Sequence, residues 1–78
     1  MNFIIYSKNG CPYCTKMEQV LSHIGVQYST YKLNRDFTTD QFYDKFGYGT
    51  TFPQVLVNDE HLGGCIDTVQ YLKEKNLV

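Results

Sequence analysis

The residues able to do chemistry are concentrated in Cys11-Pro12-Tyr13-Cys14, two thiols separated by two residues, with a third cysteine far along the chain at Cys65. A thiol attacks only as its thiolate, and a free cysteine with a pKa of about 8.5 is mostly protonated at neutral pH. The pair suits thiol chemistry only where something nearby favours the anion. Three cysteines cannot all pair within one chain, which excludes a fully closed disulfide framework and leaves at least one thiol over. A Cys-x-x-Cys pair also opens many zinc sites, and Cys65 with His61 or His23 would complete four ligands. Against zinc, no second Cys-x-x-Cys follows, and the pair opens a helix after a buried strand instead of sitting on a turn of its own. A purely structural disulfide fits a reducing compartment poorly. His23 and His61 carry little signal of their own and are expected on solvated faces.

The elements that must position these thiols follow from hydrophobic period and turn chemistry. Phe3 to Tyr6 is an unbroken run of β-favouring residues, as expected of a strand buried on both faces, and Lys8-Asn9-Gly10 ends it. From Pro12 onward, Met17, Val20, Leu21 and Ile24 fall at i, i+3, i+4 and i+7, which predicts an amphipathic helix closed by Gly25. Pro12 suits the first turn, where its missing N–H costs nothing. Cys11 is then the N-cap and Cys14 lies one turn in. At the N-cap, Cys11 faces unpaired N–H groups and the positive end of the helix dipole, both of which favour thiolate over thiol. Lys8, on the same loop, adds a cation. Cys14 should be deeper and less exposed. Cys11 is therefore assigned as attacking nucleophile and Cys14 as resolving thiol, in thiol–disulfide exchange through a mixed disulfide.

Downstream, Gln27 to Lys32 is rich in β-branched and aromatic residues and predicts a second strand, parallel to the first through a right-handed crossover. Thr38 and Gln41 fit a capping box that opens a helix burying Phe42, Tyr43 and Phe46 before Gly47 stops it. Gln54 to Val57 is a third strand; Asn58-Asp59-Glu60 is turn chemistry returning a short fourth strand at His61-Leu62. Gly63-Gly64 ends the sheet, and Ile66, Val69 and Leu72 mark the apolar face of a last helix. The result is an α/β chain of order β-α-β-α-β-β-α, with helices packed on the faces of a four-stranded mixed sheet.

Seventy-eight residues is about half the ~150 typical of a domain, so residues 1–78 are expected to form one unit with one core. Such a chain buries only about 60% of its unfolded surface, and its hydrophobic content of 42% is enough to make that core. A formal net charge of −1 argues against gripping a nucleic-acid backbone. The brief apolar start, without a basic lead, predicts neither signal peptide nor membrane span, so the cytoplasm is the expected location.

Four motifs occur in order over essentially the whole chain: Lys8-x-x-Cys11, Cys11-Pro12-Tyr13-Cys14, Thr51-Phe52-Pro53, and Gly63-Gly64-Cys65-Ile66-Asp67. The ordered set resembles the dithiol glutaredoxins, including their small bacterial or viral forms. Thioredoxins normally carry Trp-Cys-Gly-Pro-Cys, and this chain has no Trp. The resemblance implies a thioredoxin-like fold, no bound cofactor or metal, glutathione as cosubstrate, and a monomer that reduces protein disulfides and glutathionylated proteins. Ribonucleotide reductase is a candidate partner that small dithiol members of the family often serve.

The resemblance also implies a cis Pro53, where position alone would favour a trans proline starting a strand. With Pro53 cis, the Thr51-Phe52-Pro53 backbone would pair with the cysteinyl part of glutathione like a short added strand. Gly64 would allow close approach, the N–H groups of Ile66 and Asp67 would receive the γ-glutamyl carboxylate, and the Asp67 side chain would meet its ammonium. Lys8 would meet the glycyl carboxylate and Tyr13 would line the groove. Three positions depart from the common pattern. Phe52 replaces the more usual Val, Tyr48-Gly49-Thr50 stands where relatives often have a basic or amide residue, and Ile66 stands where Asp or Ser is frequent. Phe52 should change the shape of the groove but not the backbone contact, and the other two predict a weaker glutathione affinity. Cys65 is expected to be a small apolar residue at a helix start.

Overall fold

The chain places its two most apolar strands at the centre of a sheet. The computed structural model describes residues 1–78, with β1 (Asn2–Ser7), α1 (Pro12–Ile24), β2 (Gln27–Lys32), α2 (Thr39–Phe46), β3 (Gln54–Val57), β4 (Glu60–Gly63) and α3 (Cys65–Glu74). The four strands lie in the order β2-β1-β3-β4. β2 runs parallel to β1, Phe3 opposite Tyr28, whereas β3 runs antiparallel to it, Phe3 opposite Val57 and Ile5 opposite Val55. β4 returns antiparallel to β3. This is the thioredoxin-like fold expected of the sequence.

The two faces of the sheet are covered differently. Phe3, Ile5, Val55 and Val57 point to one side, where they join Met17 and Leu21 of α1 and Leu72 of α3 in a fully buried apolar cluster. β1 is not buried equally on both faces as its composition suggests. Phe3, Ile5 and Ser7 are buried, while Ile4 and Tyr6 are only partly covered, because α2 reaches that face through rings alone. Tyr6 lies 5.0 Å from Phe37 and 5.0 Å from Phe46. Phe42 stacks on Phe37 at 5.7 Å and on Phe52 at 4.1 Å with its ring only 10° from parallel. In α2 only Phe42 is buried; Tyr43 and Phe46, expected inside with it, are half-covered at the margin of this aromatic layer.

Local signals set the helix ends. Gly25 closes α1 at φ 79°, a left-handed conformation in which Gly has no Cβ penalty. At α2 the capping box is complete, Gln41 N donating to Thr38 Oγ1 at 3.2 Å and Thr38 N to Gln41 Oε1 at 2.8 Å.

Two local expectations are corrected. Glu60 belongs to β4, because Asn58 and Asp59 both take positive φ, 48° and 69°. They close the hairpin as a two-residue turn that leaves Glu60 opposite Val57. On α3 the inward face is Cys65, Thr68 and Leu72, with Val69 half-buried, and Ile66 is 85% exposed. Thr68 can be buried because its hydroxyl donates to the Gly64 carbonyl at 2.8 Å, so a polar residue holds the position that hydropathy assigned to Ile66.

Beyond β2, the Asp36 carboxylate accepts from Arg35 Nε and from the Lys32 N–H, each at 2.8 Å. The Arg35 guanidinium first, and the Lys32 amide second, hold this carboxyl below the usual aspartate value. A lowered folded-state pKa adds stability above the unfolded value, lost as pH falls through the folded one. The denaturation gap between wild type and Asp36→Asn is therefore expected to be open near about pH 7 and to narrow as pH falls below the ordinary aspartate value of about 3.9 and through the lowered folded one. In the aromatic layer, Phe42→Ala is expected to cost about 3–5 kcal/mol in chemical denaturation, the usual range for a buried Phe.

Candidate active site

The loop after β1 delivers Cys11 to the start of α1. Cys11 is the N-cap, extended at φ −114° and ψ 99°, and Pro12 opens the first turn. Because the helix begins there, the Cys14 N–H points back and donates to Cys11 Sγ at 3.2 Å. Cys14 lies one turn in and is 1% exposed, packed with Met17 and Leu21 on the buried side of α1, whereas Cys11 is half-exposed. The two sulfurs are joined in a disulfide, with Cα atoms 5.2 Å apart. Of the pair, only Cys11 is open to a reaction partner.

Beside this turn lies a groove of about 400 Å³ lined by Tyr13, Thr51, Phe52, Pro53, Gln54, Gly64, Cys65, Ile66 and Asp67. The Phe52–Pro53 bond is cis. Tyr13 and Ile66, 63% and 85% exposed, form open apolar rims. On the far side, Asp67 Oδ2 accepts the Gly64 N–H at 3.3 Å, a reach back over the first turn of α3 that also suits the helix dipole. Gly63 makes this possible: its φ of 118° favours glycine, and a Cβ there would collide with the Asp67 carboxylate. At Gly64 a Cβ would make only ordinary contact with the Pro53 carbonyl, at 3.5 Å, so the meeting of these two segments does not itself demand a glycine, and the strict requirement falls at Gly63, beneath the Asp67 carboxylate.

The structure brings Tyr13, Thr51, Phe52, Pro53, Gly64, Ile66 and Asp67 together in this one groove, and sets Cys11 and Cys14 at its α1 end. Lys8 arrives by a different route. Its Nζ sits 5.2 Å from the centre of the Phe52 ring, a cation–π contact, and Phe52 in turn stacks on Phe42 and Phe37. The Phe at this position therefore reshapes the groove by turning its ring into the aromatic layer and under the lysine.

His61 differs from expectation as well. The residue is exposed overall, yet its ring packs 4.8 Å from Phe46 and its Nε2 lies 2.7 Å from Gln54 Oε1. His23 is exposed on α1 as expected. Sequence reasoning missed Gln54 as a lining residue, although a lone amide heading an otherwise apolar strand was a visible signal. It favoured a packing role for Cys65, which is half-buried and also lines the groove.

Comparison with known proteins agrees with this geometry. The Glutaredoxin family model matches residues 3–62. A glutaredoxin of Vernicia fordii is 30% identical over 78 residues, 96% of this chain and 75% of that one. Glutaredoxin 3 of Escherichia coli K12 is 33% identical over 66 residues, covering 85% of this chain and 80% of its own. Among solved structures, reduced Escherichia coli glutaredoxin superposes with a TM-score of 0.80 at 26% identity, over 100% of both chains. Sequence, fold and the place of the cysteine pair at the head of α1 thus lead to one family, and this chain belongs to the glutaredoxins, glutathione-dependent thiol–disulfide oxidoreductases.

Proposed function

We propose that Cys11 is the attacking thiol of a glutathione-dependent reductase and Cys14 its resolving thiol. The observation that carries this reading is the Cys14 N–H aimed at Cys11 Sγ, at a helix N-terminus whose dipole and free donors stabilise a sulfur anion. With a glutathionylated protein, the Cys11 thiolate attacks the glutathione sulfur. The Cys11–glutathione disulfide forms, the protein–glutathione bond breaks, and the protein thiolate leaves and takes a proton from water. A glutathione thiolate then attacks the bound glutathionyl sulfur, forming oxidised glutathione and freeing Cys11. With a protein disulfide, Cys14 attacks the Cys11–protein mixed disulfide and leaves Cys11–Cys14 oxidised, and two glutathiones supply the electrons that reduce it.

Glutathione fits the groove with its cysteinyl part along the Thr51-Phe52-Pro53 backbone, as a short added strand. Its γ-glutamyl carboxylate then meets the N–H groups of Ile66 and Asp67 at the start of α3, and its ammonium meets the Asp67 carboxylate. Tyr13 covers the thiol end. Lys8, carried to the loop by Phe52, serves the glycyl carboxylate. With an apolar side chain at Ile66 and no basic or amide group in Tyr48-Gly49-Thr50, affinity is expected to be weaker than in relatives that have both contacts.

The protein acts as a monomer built on residues 1–78, needs no bound cofactor, and works in a reducing cytoplasm where glutathione can reset it. Its targets are disulfide-containing or glutathionylated proteins, with ribonucleotide reductase the candidate to test first. No helix is long and apolar enough to cross a membrane.

In a turnover assay coupling glutathione, glutathione reductase and NADPH to a small glutathione mixed disulfide, wild type and Cys14→Ser are expected to be active. Cys11→Ser is expected to lose at least about a thousandfold, as enzymes do when their nucleophile is removed. Wild type without turnover, or an active Cys11→Ser, overturns the assignment.

A further inference from the structure

Gln54 is 6% exposed in a strand otherwise made of Val55, Leu56 and Val57. Its amide is employed at both ends. Nε2 donates to the Thr51 carbonyl at 2.9 Å, which leaves Oε1 as the acceptor for His61 Nε2, 2.7 Å away. His61 is paired across the sheet with Leu56, which makes it the diagonal neighbour of Gln54 on the same face. Phe46 packs against the ring at 4.8 Å. The relay His61–Gln54–Thr51 thus runs from the outer strand of the sheet to the loop that walls the groove.

We infer that His61 is a positioning residue for this site. By taking up the Gln54 oxygen it fixes which way the amide faces, so the Gln54 nitrogen is held on the Thr51 carbonyl. The Thr51–Phe52 peptide is planar and trans, so pinning its carbonyl toward Gln54 turns the Phe52 N–H away from it, in the orientation a paired substrate strand requires. Without His61, the amide can rotate with no loss at the oxygen end, and the loop backbone loses its fixed direction. The Gln54 end of the relay is buried, and a buried polar network is costly when half-made. This role rests on Phe52 being the edge that glutathione pairs with, but the relay itself can be measured without glutathione.

The test combines both measurements on His61→Leu, Gln54→Leu and the double variant. In ligand-free protein, NMR exchange of the Gln54 side-chain amide protons is expected to quicken about tenfold in His61→Leu, the factor matching the loss of one hydrogen bond. In the coupled assay, KM for the glutathione mixed disulfide is expected to rise about fivefold to tenfold, with kcat within about twofold of wild type. The double variant should be no worse than Gln54→Leu alone, because His61 acts only through Gln54. Unchanged amide exchange in His61→Leu, or additive KM effects in the double variant, overturns the inference. If wild type shows no glutathione-dependent turnover while the exchange still quickens, the relay stands and the assignment of the groove to glutathione falls.

Discussion

The site depends on holding a sulfur at the very start of a helix while leaving it open to attack. A helix N-terminus frays unless something anchors the turns behind it. Here the anchor is the buried side of α1. Cys14, Met17 and Leu21 are fully covered, and Met17 and Leu21 pack on Phe3 and Ile5 of the central strand and on Leu72 of α3. Only because this face is immobilised does the Cys14 N–H have a settled direction, and that direction is what meets Cys11 Sγ at 3.2 Å. Hydrophobic packing well away from the thiols is thus part of the thiol chemistry.

The second constraint is the meeting of three segments that are remote in sequence. The start of α1, the loop around Pro53 and the start of α3 converge because β1 and β3 are neighbours in the sheet and β4 returns beside β3. Each segment presents backbone donors or acceptors along with side chains, and Gly63 admits the Asp67 carboxylate where any Cβ would block it. On the proposed reading, recognition in this groove is largely a matter of main-chain direction, which is compatible with Phe at 52 and Ile at 66.

Much of this was legible in the sequence because the signals were local. The Pro12 start and Gly25 stop of α1, the Thr38–Gln41 box of α2 and the β-branched and aromatic run of β2 are each contained within a few residues, and all appear as read. The failures were non-local. Ile66 was assigned inward on hydropathy, but whether Thr68 can be buried depends on a carbonyl at Gly64 being available to it. His61 is exposed as read, but its contact with Gln54 across the hairpin could not be seen from either residue alone. Lys8 was read from its place on the Cys11 loop, and the ring forty-four positions away that its ammonium also meets carried no local signal. The cis state of Pro53 came from the family resemblance and not from any local signal.

The aromatic layer has one more consequence. α2 is the least anchored of the three helices: Phe42 is its one buried residue, whereas α1 buries Cys14, Met17 and Leu21 and α3 buries Thr68 and Leu72. Phe42 stacks directly on Phe52 at 4.1 Å, so one wall of the groove is propped by stacked rings, while the sulfur at the head of α1 is seated on the packed core across the sheet. The two sides of the groove thus have unequal foundations, one a closely packed core and the other a pile of rings.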